Sequence, residues 1–264
     1  MKTTAYDLAI VYRVCPHLSA SAPTEIKDKF NLVKACFESL KEAARGLNVH
    51  LTVLLDNCPK EYWQLFDVWN NPQNVVLYNT SISGSDALKM QIQELIARDS
   101  ADIVLVAEDD YLYEPQSLKC ALEFMSLHQD VDFLTLYRHP DISNTEFHAS
   151  FQSEAKQFNG FSFQTVCSTT HTFFARKKAL SEFADVFQST KPSIPDLSQW
   201  LAITKANLTN LKMFKWLFTR PYWTYSILIS WNYYWKQILG GRKAKLWAAQ
   251  HSLATHVCQL SFPA

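Results

Sequence analysis

Three carboxylates stand side by side at Glu108, Asp109 and Asp110, directly behind the apolar run Ile103-Val-Leu-Val-Ala107. Adjacent acids repel one another unless a cation or a donor-rich ligand neutralises them, so the chemistry on offer is the holding of a hard divalent metal shared with a phosphate. A solvated acidic turn is the bland alternative. The stretch in front favours the first reading. A short β-branched run reads as a strand buried on both faces, and in open α/β sheets ligands sit beyond the carboxyl ends of the strands.

The elements that would position these acids can be read in order. Residues 7–16 form a first strand that stops at Pro16, which cannot extend a central ladder. Thr24 offers an N-cap for a helix whose face is Ile26, Phe30, Val33, Phe37 and Leu40. Residues 49–55 make a second buried strand, ending on Asp56-Asn57; an acid there can hold a ribose hydroxyl or a base N–H, or simply cap the helix expected over 60–70. A third strand covers 74–78. The loop 79–86, with Gly84 permitting close backbone approach, leads to a helix with Leu88, Ile92, Leu95 and Ile96 on one face. Three strand–helix units before the acidic strand are the alternation of a parallel sheet, and right-handed crossovers would line up Cys15, Asp56, Asn79 and Asp109 along one edge.

Beyond the acids, the pattern predicts a helix from 115 to about 127, a strand over 131–137, a long loop over 142–160 and an alternating strand over 161–166. The hydroxyl run Ser168-Thr169-Thr170 suits sugar hydroxyls, although Thr-rich strands are common without a ligand. Asp196 stands where an N-cap would, and residues 222–235 read as a packed aromatic helix, too short and too polar to span a bilayer. The expected fold class is α/β, a mostly parallel sheet flanked by helices, with a helical, aromatic C-terminal region.

The 264 residues, 48% hydrophobic, can bury a full core. With only 5 Gly there is no GxGxxG, Walker loop or GxSxG, and no HExxH occurs, so the dinucleotide, P-loop, hydrolase-elbow and zincin classes lack their fingerprints. The 6 cysteines form no CxxC pair, and no cleavable leader pattern precedes Leu8, which together suggest reduced thiols in a cytoplasmic protein. A formal net charge of zero conceals an asymmetry. Every Asp and Glu lies at or before Asp196; the residues after it carry 8 Lys or Arg and six of the 8 Trp. A basic, aromatic tail suits diphosphates or anionic lipid headgroups, while the acidic body argues against nucleic acid.

The wording Val106-Ala-Glu-Asp-Asp-Tyr-Leu-Tyr113 resembles the DxD region of GT-A glycosyltransferases of the family 2 type, and within them a bacterial subgroup whose pattern reads VEDDYL. Three more segments match that subgroup: residues 134–141 (LTLYRHPD), 167–173 (CSTTHTF) and 252–256 (SLATH). The resemblance covers most of the chain. It implies a GT-A, Rossmann-like core over 1–196 that binds a nucleotide-sugar and carries the catalytic residues, with 197–264 packed on it. It also implies a metal-dependent transferase, inverting and hexosyltransferase-like, that moves sugar from a nucleotide-sugar donor, UDP-sugar first, to a glycan or lipid-linked acceptor in bacterial surface polysaccharide synthesis.

Residue by residue, the resemblance puts Arg13, Val14, Asp56, Gly84, Glu108 and Asp109 at the donor, with Lys89 substituting for a basic residue the family usually has after that glycine. Asp110 and His256 would hold Mn2+ or Mg2+, Asp196 would be the base, and Ser168, Thr169, Thr170 and Trp200 would face the acceptor. A peripheral contact at the inner face of the membrane, through the C-terminal region, is a further expectation. A nucleotidyltransferase on the same scaffold is the second reading, though Cys15-Pro-His-Leu-Ser offers no basic, glycine-rich phosphate loop. A non-catalytic glycan- or lipid-binding module is the third.

Overall fold

Alternation along the first strand builds two cores at once. In β1 (Leu8–Val14), Leu8, Ile10, Tyr12 and Val14 face one side of the sheet while Ala9 and Val11 face the other. The structure, a computed structural model, describes residues 5–18, 28–69, 72–82, 84–98, 100–149, 151, 154–189, 191 and 193–257. The expected N-cap Thr24 lies outside them. Here α1 (Lys29–Ala43) starts behind Asp28, whose carboxylate accepts the Asn31 N–H. Then come β2 (Val49–Asp56), β3 (Val75–Thr80), α2 (Gly84–Ala97) and β4 (Ile103–Glu108). The helix expected over 60–70 is a 3-10 helix, Lys60–Phe66.

After the acids come β5 (Tyr111–Tyr113), α3 (Ser117–Leu127) and a short β6 (Phe133–Thr135). The stretch expected as a loop instead holds α4 (Pro140–Asn144), α5 (Glu146–Ala149) and β7 (Ala155–Phe158). Next are β8 (Phe161–Val166), β9 (Phe173–Arg176), α6 (Lys177–Glu182), α7 (Ala184–Gln188), α8 (Asp196–Thr204), α9 (Met213–Thr219), α10 (Pro221–Gly240), β10 (Leu246–Ala249) and β11 (Ala254–His256).

One sheet of nine strands, ordered β3-β2-β1-β4-β9-β6-β10-β8-β7, forms the middle layer. The pairings β3-β2, β2-β1, β1-β4 and β6-β10 are parallel; β9 and β8 run against their neighbours, so the remaining seven strands share one direction. The fold is thus α/β with a mostly parallel sheet flanked by helices, as expected. On one face α1 and α3 contribute Phe37, Leu40, Leu118 and Phe124; on the other α2, α6, α7 and α8 contribute Leu88, Ile92, Leu180, Phe187 and Trp200.

Two details fix the site's edge. Gln91 of α2, buried, donates to the carbonyls of Val11 (3.0 Å) and Ala107 (2.9 Å), tying β1 to β4 just before both strands end. A separate ribbon pairs β11 with β5 antiparallel, Thr255 opposite Leu112 and His256 opposite Tyr111, which returns the end of the chain to the acidic turn.

The C-terminal region is interleaved with the rest, since β10 lies inside the sheet between β6 and β8. Its long helix α10 packs on α8 through small residues: the Ser230 hydroxyl donates to the Ser198 carbonyl (2.8 Å), and Ser198, Ser226 and Ser230 are all fully buried.

Candidate functional site

Because β1, β2 and β4 run parallel, their carboxyl ends open into one cleft of about 440 Å³, lined by Arg13, Cys15, His17, Leu18, Lys29, Asp56, Asn57, Ile82, Glu108, Asp109 and Asp110. Of the residues placed at the donor by sequence, Arg13, Asp56, Glu108 and Asp109 are here. Arg13 reaches Asp56 at 3.0 Å, and burial, which would lower the guanidinium pKa, is outweighed by that bond. Asp56 also accepts the Ile82 N–H (3.0 Å) and the Asn57 amide (3.1 Å), so it braces two strand ends as well as lining the cleft. It caps nothing: the 3-10 helix begins at Pro59 with no side-chain cap. Asn57 takes φ 56°, a left-handed conformation that asparagine tolerates better than most residues.

Asp109 is held from two sides. Its Oδ1 accepts from the Lys29 ammonium at 2.7 Å and its Oδ2 from the Cys15 N–H at 2.8 Å, with both charged side chains buried. Burial alone would discharge the amine, but the neighbouring carboxylate raises its pKa and keeps it protonated. Asp109 therefore joins the end of β1 and the start of α1 to the acidic turn while lining the cleft. Lys29 is the residue sequence reasoning missed. Nothing local marks it, since its partner is eighty residues away.

Three expectations are corrected. Val14 is fully buried in the core, and its neighbours Arg13 and Cys15 line the cleft in its place. Gly84 opens α2, where an added Cβ would meet no protein atom within 4 Å, and it is not among the cleft's lining residues. Lys89 pairs with Asp86 on its own helix (2.7 Å) and is not among the cleft's lining residues.

Asp110 and His256, named together from sequence, do meet. Their Oδ2 and Nε2 lie 3.1 Å apart, and the imidazole stacks on Tyr111 at 4.6 Å, held by the β5–β11 ribbon. Tyr111 in turn hydrogen-bonds Thr170 (2.7 Å). The donor set fits a divalent ion. A carboxylate and an imidazole brought together at a strand end are the residue types that would hold such an ion, and Asp110 and His256 would supply them. No group of three or more His, Cys, Asp or Glu that could hold a metal occurs among the described residues, so such an ion would take its other ligands from water or a bound anion. Glu108 is half-buried beside them, and desolvation followed by the charge of Asp110 pushes its pKa to about 7.

A second pocket, about 230 Å³, is lined by His139, Asp141, His148, Ser168, Thr169, Thr170, Asp196, Leu197, Tyr222 and Trp223. The three hydroxyl residues named for the acceptor are here; Trp200 is not. Its ring is fully buried edge-on against Phe133, Phe173 and Phe187, so it is a core residue. Asp196 is not a helix cap either. Pro195 holds that position, and the Asp196 carboxylate turns to His171 Nε2 at 3.0 Å.

Burial alone would lower the His171 pKa, but Asp196 from α8, with Glu108 from β4 behind it, raises it to about 9. In return, His171 holds Asp196 below the usual carboxylate range against the opposing effect of burial. A raised folded-state pKa contributes stability that is complete below the imidazole's ordinary 6.5 and is lost as pH rises through about 9. The unfolding temperature is thus expected to fall between those pH values, and to fall less in His171→Gln. Equal calorimetric slopes for the two proteins would remove the ion pair from this account.

No protein-family model and no curated protein matches the chain. Among solved structures, a mannosyltransferase from Pyrobaculum calidifontis, in complex with GDP-Man and Mn2+, aligns with TM-score 0.47 and 12% identity over 77% of this chain and 54% of its own. A protein described as a nucleotide-diphospho-sugar transferase, from Desulfovibrio desulfuricans G20, aligns with TM-score 0.46 and 15% identity over 75% of each chain. A 4-diphosphocytidyl-2C-methyl-D-erythritol synthase from Anaerococcus prevotii DSM 20548 aligns with TM-score 0.44 and 9% identity over 76% and 83%. With every one of these scores below 0.5, the reading of the site rests on this chain's own residues.

Proposed function

We propose that the protein is a metal-dependent glycosyltransferase that takes sugar from a nucleotide-sugar donor. One observation supports this above the others: the cleft at the strand ends carries four carboxylates, Asp56, Glu108, Asp109 and Asp110, against two cations, Arg13 and Lys29, and both cations are already paired with acids. An anion such as a diphosphate enters such a cleft only with a cation of its own. Asp110 and His256 would hold that divalent ion, Mn2+ or Mg2+, which when bound neutralises the charge developing on the departing diphosphate.

The chain's own side chains supply the rest. Arg13 and Asp56 shape the inner end of the cleft for the nucleoside, and Ser168, Thr169 and Thr170 offer hydroxyls to an acceptor sugar. Asp196 takes the proton from the attacking hydroxyl in the pocket that it lines with those three residues. His171 orients it. UDP-sugar is the donor first tested, with a glycan or lipid-linked acceptor.

The test is binding of UDP, GDP, CDP and dTDP, with and without manganese, by thermal shift. One nucleotide at about 100 times its Kd should add roughly 2.7 kcal/mol with the metal and far less without it. Asp110→Asn and His256→Ala should lose the manganese-dependent part, and His251→Ala, on an exposed turn, should not. Unchanged manganese dependence in Asp110→Asn would overturn the metal site.

A further inference from the structure

The helix α10 is built inside out. The residues it turns inward are small or polar as often as apolar: Thr224, Ser226 and Ser230 are buried along with Ile227, Tyr234 and Ile238. Among the residues it turns outward are Tyr225, Leu228, Trp235 and Leu239, exposed at 44%, 52%, 51% and 68%. Water-facing helix surfaces carry the opposite pattern. Just before it in the chain, α9 adds Phe214 and Phe218, exposed at 66% and 86%.

The charge around this face is mainly basic. No acid occurs after Asp196, and Arg220 and Lys236 are exposed beside it, stacked over Trp223 and Trp235 at 5.8 Å. Lys212 and Lys215 share a single acid, Glu146. Aromatic rings with long cationic side chains at their rim are what the headgroup region of a bilayer accepts, with the rings among the acyl boundary and the ammonium groups among phosphates. Among the described residues no helix is long and apolar enough to cross a membrane, so the face would lie on the surface.

The geometry points to docking of the α9–α10 face on an anionic lipid surface. Tyr222 and Trp223, at the start of α10, line the pocket that also holds Asp196. If the proposed transferase activity holds, the acceptor would therefore be presented from the lipid side, and a lipid-linked acceptor is favoured over a free glycan. The docking itself does not depend on that activity.

The test uses the whole protein without nucleotide or metal. Co-sedimentation with phosphatidylcholine vesicles, with and without phosphatidylglycerol, should show binding only to those that contain phosphatidylglycerol, weakening as salt rises. Trp235→Ser with Leu239→Ser should lower vesicle binding by roughly a hundredfold. The melting temperature and the response to manganese and UDP should stay as in the parent, which separates loss of docking from loss of fold or of the proposed donor site. Lys236→Glu should weaken binding to anionic vesicles alone. Equal binding to both vesicle types, no binding to either, or self-association in sedimentation velocity that the serine substitutions abolish would each overturn the proposal; the last would assign the face to a second copy of the chain.

Discussion

Asp196→Asn is expected to lower kcat for sugar transfer, or for donor hydrolysis by water, by about 10²–10⁴-fold, the usual contribution of a positioned general base. Affinity for the metal-bound nucleotide should change little, because Asp196 lines the pocket of Ser168, Thr169 and Thr170 and is not among the residues of the donor cleft. Asparagine keeps the shape and can still hydrogen-bond His171, so a structural role would leave the rate intact. His171→Gln should give a smaller loss of kcat, because it leaves the carboxylate in place but frees it to rotate and no longer holds its pKa down. Steady-state kinetics on the two variants check this. Parent-like turnover in Asp196→Asn would leave the proton without an acceptor there and refute the assignment.

The second large effect is on stability. Lys29→Met removes one partner of a buried ion pair and should destabilise the protein by about 3–5 kcal/mol in urea unfolding, because Asp109 is left charged and buried with only the Cys15 N–H. Replacing both residues, as Lys29→Met with Asp109→Leu, should recover part of that loss, since a packed apolar pair carries no desolvation cost. A loss below about 1 kcal/mol in the single variant would mean that the pair is wetter than its burial indicates.

The parts of this site that could be read from sequence are those carried by local pattern. Apolar runs stopping at Cys15, Asp56 and Glu108 announce buried parallel strands with polar ends, and the alternation over 161–166 coincides with β8. The SLATH segment led to His256 only through family resemblance, because a three-residue strand such as β11 has too few residues to show a period. The same brevity hid α4, α5 and β7 in what read as a loop. Partnerships across the chain that the resemblance did not carry were not legible. Lys29 with Asp109 and His171 with Asp196 each join residues from separate elements, and only the folded sheet edge brings them together. Trp200 misled for a related reason: an aromatic residue after an acid looks the same in sequence whether it faces a sugar or the core.

The place of β10 bears on how the molecule comes into being on the ribosome. The strands β3, β2, β1, β4, β9 and β6 can associate once residue 176 has emerged, but β8 and β7 reach them only through β10, which spans Leu246–Ala249. Until then the sheet exists as two pieces, each presenting an unpaired edge that invites pairing with another chain. Joining them also means closing a span of more than a hundred residues between β6 and β10, which makes this step slow as well as late. The ribbon that carries His256 to Asp110 follows a few residues behind, so an incomplete nascent chain has no assembled metal pair.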